Sequence, residues 1–92
     1  MESKYDALSL RLILSDGLRD ELAQRCVDET DVRQVISYAE STSKKLMDTD
    51  TQHLVAHLKI DNITCWVEYM PEGDEYRVFG AYTHRLAIEE EY

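Results

Sequence analysis

From His53 to His84 the hydrophobic positions recur at every second residue, the signature of strands with two unlike faces. In His53–Ile60, Leu54, Ala56, Leu58 and Ile60 point one way, while His53, Val55, His57 and Lys59 point the other. Asp61-Asn62 separates this run from Ile63–Met70 by two residues, a hairpin signal. Pro71-Glu72-Gly73-Asp74 reads as a second turn, and Glu75–His84 as the last long strand. Leu46-Met47 reads as a short strand turned back by Asp48-Thr49-Asp50-Thr51.

The first half is helical. Ser15-Asp16-Gly17 breaks the chain and supplies a cap for LRDELAQRC, whose Leu18, Leu22 and Cys26 share one face. Thr30 caps a second helix, DVRQVISYAESTSKK, with Val32, Val35, Ile36 and Ala39 as its apolar stripe. Lys44 and Lys45 fall at its C-terminal end, where the helix dipole favours cations. Ahead of both, Leu8, Leu10, Leu12 and Leu14 alternate with other residues, a strand pattern, although leucine also permits a helix over residues 3–14. The predicted fold is therefore α+β: an antiparallel β-meander of three to five strands with two helices packed on one face.

The turns also predict a register. A two-residue first turn pairs Ile60 with Ile63, Leu58 with Cys65, Ala56 with Val67 and Leu54 with Tyr69, so one face stays apolar. A four-residue second turn pairs Tyr69 with Tyr76, Val67 with Val78 and Ile63 with Tyr82. On the opposite face this register sets Trp66 against both His57 and Phe79, with Val55 and Ala81 nearby and Glu68 facing Arg77.

The chain has 92 residues, the length of a single domain (residues 1–92), with an acidic tail at 89–92 expected to fray. Nineteen acids against ten bases give a net charge of -9, which repels phosphate backbones and anionic membranes and makes nucleic acid an improbable partner. There is no signal-peptide pattern and no apolar run long enough to span a bilayer. With two widely separated cysteines, Cys26 and Cys65, a cytoplasmic location with reduced thiols is expected.

The chemistry-bearing residues form no catalytic or metal-binding constellation. On a strand, His53 and His57 stand about 13 Å apart, too far to share one ion. No cysteine pair has ligand spacing, and nothing implies a cofactor. Cys65 faces the core and reads as a structural thiol. The strongest lead is the outward patch of Trp66, Phe79, His57, Val55 and Ala81, since exposed aromatics mark contact surfaces. A protein partner or a second copy of the chain fits it; residues 7–14 or the tail would instead make it a second small core. A general acid–base group of Tyr82, His84 and Arg85 beside Arg77 is the alternative site, and the sequence supplies it with no further catalytic group.

Two resemblances bear on function. WVEYMPEGDEYRVFGAYTHRL, residues 66–86, resembles a hairpin motif, WVEY-x-P-x-G-D followed by AY-x-H-R, of small bacterial proteins found near iron–sulfur and flavin oxidoreductases of anaerobes. That resemblance covers the chain from roughly Asp31 onward. It implies an accessory role, as a small subunit of or partner to a redox enzyme, and transfers no functional residue. The order of a helix carrying Asp31, Val32, Val35 and Ile36 before a β-meander is similar to small toxin ribonucleases of toxin–antitoxin pairs. In those, basic, histidine and tyrosine residues on the sheet cleave RNA, roles that would fall to Arg77, Tyr82, His84 and Arg85. Those nucleases are basic, and this chain is not. The expectation is a non-catalytic accessory or protein-interaction protein, with the toxin-like ribonuclease as the alternative.

Overall fold

The computed structural model describes residues 10–85, Arg85 by its backbone alone. The elements are β1 (Arg11–Ile13), α1 (Asp16–Gln24), α2 (Glu29–Thr42), β2 (Leu46–Met47), β3 (Leu54–Ile60), β4 (Ile63–Glu72) and β5 (Glu75–Arg85). The expectations for residues 3–9 and for the tail at 89–92 lie outside the described residues.

Local chemistry sets the helix ends. Ser15 is extended, and its hydroxyl oxygen accepts from the Leu18 N–H at 3.1 Å, which starts α1. Leu18 and Leu22 are its buried residues, one turn apart. The helix closes where Cys26 adopts φ 59°: its N–H returns to the Ala23 carbonyl and the Val27 N–H to Leu22 at 2.9 Å. Glycine usually takes that left-handed position, and here a cysteine does. Asp28, not Thr30, caps α2; its carboxylate accepts from the Thr30 N–H at 3.1 Å. A charged cap suits the positive end of the dipole better than a hydroxyl. The stripe Val32, Val35, Ile36 and Ala39 is buried as the periodicity predicts. Ser43 stops α2 with φ 63°, so Lys44 and Lys45 fall beyond the helix rather than in its last turn. The Thr42 hydroxyl, which donates to the Tyr38 carbonyl at 2.7 Å and accepts from the Lys44 N–H, competes there with further helix.

The five strands form one sheet in the order β1-β5-β4-β3-β2. It is mixed, which corrects the purely antiparallel expectation: β1 runs parallel to β5, and every other pair is antiparallel. A parallel neighbour needs a long crossover, and the two helices and the meander lie between β1 and β5. A single core cluster joins Leu18, Leu22, Val32, Val35, Ile36 and Ala39 of the helices to Ala56, Cys65, Val67, Tyr69, Val78 and Ala81 of the strands. Helix α2 lies against β3 and β4, and α1 against β5.

The β3–β4 register is the one the first turn predicts, from Ile60↔Ile63 to Leu54↔Tyr69. The β4–β5 register is not. Gly73, at φ 65°, closes a two-residue turn, so Glu72 pairs with Glu75 and Tyr69 with Val78. Between Glu68 and Tyr69 the ladder then shifts by one residue, leaving Phe79 as a bulge, and Glu68 faces Gly80. Trp66 accordingly faces Tyr82, not Phe79, and Glu68 does not face Arg77. Ala81 pairs with Val67 and is 0% exposed, a core residue rather than part of the outward patch.

Candidate functional site

Pleating leaves the other residues of each strand on the face away from this core, and cross-strand pairing sets them in rows. Lys59, Thr64 and His84 form the row nearest the β3–β4 turn. His57, Trp66 and Tyr82 form the next, and Leu46, Val55, Glu68 and Gly80 the third. Every large hydrophobic side chain exposed among the described residues lies on this face or on its β2 edge: Leu46 (73%), Met47 (60%), Tyr82 (45%) and Phe79 (40%).

The rings of this face touch one another. His57 stacks on Trp66 with centroids 4.4 Å apart, and Trp66 lies 6.2 Å from Tyr82 at an interplanar angle of 6°. Tyr82 meets His84 edge-on at 5.4 Å. A second group stands beside them: His53 stacks on Phe79 with centroids 3.7 Å apart and ring planes parallel, and its Nδ1 lies 2.6 Å from Glu68 Oε2. Glu68 shares the face of Trp66, two residues away on β4, so Trp66 and Phe79 stand on the same side of the sheet. All three histidines of the chain belong to this face.

The sequence-predicted residues therefore divide. Trp66, His57 and Val55 are neighbours, and Phe79 joins them through His53 rather than by facing Trp66. Ala81 is lost to the core, and Tyr82, which the uninterrupted register turned inward, takes its place on the face. Of the acid–base set, Tyr82 and His84 touch. Arg77 is seven residues from His84, roughly 23 Å along an extended strand. Its guanidinium is held by Glu72, with Nη2 donating at 2.8 Å. The side chain of Arg85 lies outside the described residues. Among the described side chains, Arg77 is not gathered with Tyr82 and His84.

Sequence reasoning missed the lysines at the other border. The left-handed turn at Ser43 carries Lys44, Lys45 and Leu46 alongside β3, where they flank a groove of about 340 Å³ floored by Val55, His57 and Trp66. Lys45 donates to Glu40 Oε2 at 2.7 Å. Among the described residues neither Lys44 nor Lys59 forms an ion pair. Gly80 was the available signal for the bulge, because an isolated glycine within a strand pattern marks an irregularity.

A second cavity, about 470 Å³, lies between the α1–α2 turn and the β3–β4 turn and is lined by Arg25, Cys26, Asp31, Asp61 and Cys65 among others. Among the described residues no three His, Cys, Asp or Glu side chains are grouped to hold a metal ion. Burial, and secondarily the charge of Asp31, push the Cys65 thiol up to about 11. A thiol whose folded pKa is raised stabilises the fold below its unfolded value and loses that contribution as pH rises toward 11. We expect 5,5′-dithiobis(2-nitrobenzoate) at neutral pH to titrate exposed Cys26 at once and Cys65 only on unfolding. Stability should fall between about pH 9 and 11. Two equally fast thiols would contradict the burial of Cys65.

Comparison with protein-family models, curated proteins and solved structures finds no match. Among the described residues, no helix is long and apolar enough to cross a membrane.

Proposed function

We propose that this is a non-catalytic accessory or protein-interaction protein that docks a protein partner, or a second copy of itself, through the open sheet face. The observation that carries the reading is the concentration of the exposed large hydrophobics around the stacked His57, Trp66 and Tyr82. Aromatic anchors held by neighbouring rings lose little side-chain entropy on binding, and contiguous exposed apolar surface in a small domain favours a contact role. Among the described residues the face holds the pairs Tyr82–His84 and His53–Glu68, but Arg77 is bound by Glu72 and is not gathered with Tyr82 and His84, so no observation favours the ribonuclease reading over this one. The resemblance to proteins found beside anaerobic oxidoreductases makes the large subunit of such an enzyme the first partner to test.

The test is Trp66→Ala. The indole is partly buried against its neighbouring rings on the sheet face and lies outside the core cluster, so circular dichroism should remain that of the wild type. Partner capture or self-association should weaken by at least about 30-fold, the effect of losing a hot-spot tryptophan worth roughly 2 kcal/mol. A variant that co-purifies and sediments like the wild type would remove the docking reading.

A further inference from the structure

We propose that the groove between the α2–β2 turn and β3 binds a mononucleotide, with the base against the His57–Trp66 rings and the phosphate at Lys44 and Lys59. The groove shares His57 and Trp66 with the docking face, but nucleotide binding there does not require a protein partner. Its volume, about 340 Å³, falls within the span of small-molecule sites. Its floor supplies ring faces: His57 is stacked on Trp66, and Trp66 continues into Tyr82 almost in parallel. A planar base can extend such a row because every base presents a π-face.

The charge pattern selects an anionic ring compound rather than a neutral one. The chain carries -9, yet the two rows nearest the β3–β4 turn, Lys59–Thr64–His84 and His57–Trp66–Tyr82, contain no carboxylate. Among the described residues the nearest acid on the face, Glu68, is engaged by His53, and Glu40 is taken by Lys45 and Tyr69. Lys44 lines the groove, and Lys59 stands two residues from His57 on the same side of β3, about 7 Å along the strand. Two ammonium groups with no ion-pair partner among the described residues thus border the ring platform in a chain where acids outnumber bases. At physiological ionic strength the Debye length is about 8 Å, so a single phosphate in the groove senses these lysines more than the remote acids. An extended polynucleotide would run onto the acidic remainder of the surface, so the proposal is a mononucleotide and not RNA.

Trp66 is the chain's one tryptophan, so its fluorescence reports the groove directly. AMP should quench it saturably with a Kd of about 0.1–1 mM, a weak small-ligand affinity. Adenosine should bind at least fivefold more weakly, and inorganic phosphate alone should leave the emission unchanged. The double substitution Lys44→Ala, Lys59→Ala should weaken AMP about tenfold and leave adenosine unaffected, with calorimetry as the second measurement. No saturable quench by AMP to about 5 mM, equal binding of AMP and adenosine, or tighter binding of a six-nucleotide RNA than of its mononucleotide would each overturn the proposal. Failure here would leave the docking reading standing, because Trp66→Ala tests that reading by partner capture without any nucleotide.

Discussion

Tyr69→Ala should cost about 3–5 kcal/mol, the range for truncating a large aromatic in a packed core. Against the 5–15 kcal/mol that holds a small domain together, such a loss leaves a large unfolded population. Tyr69 is 0% exposed and the largest of the fully buried side chains. It sits among Val67, Val78 and the residues of α2 in the one core cluster, with the ring of Tyr76 edge-on at 5.9 Å. Its hydroxyl donates to Glu40 Oε2 at 2.6 Å, the oxygen that also accepts from Lys45 Nζ at 2.7 Å. Burial, and then the Glu40 hydrogen bond and charge, raise the phenol far above its ordinary range, so it remains a neutral donor. Tyr69→Phe separates the two contributions. It keeps the ring and loses one hydrogen bond to a charged acceptor, while Glu40 retains Lys45, so a cost near 1.5 kcal/mol is expected. Urea denaturation of the three proteins checks both. A Tyr69→Ala variant within 1 kcal/mol of the wild type would show that the sheet and α2 do not depend on this side chain.

Legibility followed the reach of each signal. The β3–β4 hairpin could be read to the residue because Asp61-Asn62 fixes the turn length and nothing interrupts the alternation on either strand. The left-handed φ of 59° at Asp61 is one that aspartate tolerates. The helix stripes were equally plain, since Val32, Val35, Ile36 and Ala39 admit one burial pattern at 3.6 residues per turn. What failed were features decided by a single residue. Pro71 and Glu72 look like turn residues, yet both remain in β4, because Gly73 alone supplies the positive φ of the turn. The parallel pairing of β1 was hidden because three residues, Arg11–Ile13, carry no direction of their own. Lys44 and Lys45 were assigned to a helix end because the sequence does not announce that Ser43 will take a left-handed conformation.

The bulge has the widest consequences for the candidate site. A bulge places two residues of one strand opposite one of the other, so every later side chain on β5 exchanges faces relative to an unbroken ladder. This turns Tyr82 and His84 outward beside Trp66 and sends Ala81 into the core. The two registers make opposite predictions for one pair of substitutions. In the bulged register Ala81 is fully buried against Val67, and Gly80 lies across from Glu68 with open space where a Cβ would stand. Ala81→Lys then forces a long cationic side chain into the core with no partner, at a cost of about 3–5 kcal/mol. Gly80→Lys points into solvent near the Glu68 carboxylate and removes a flexible residue from a strand, so its stability should stay within about 0.5 kcal/mol of the wild type. An unbroken ladder would make Gly80→Lys the damaging change and Ala81→Lys the harmless one. Chemical denaturation of the two variants decides between these registers. A destabilised Gly80→Lys beside an intact Ala81→Lys would return Tyr82 to the interior and dissolve the ring row of His57, Trp66 and Tyr82 on which both the docking face and the nucleotide groove are built.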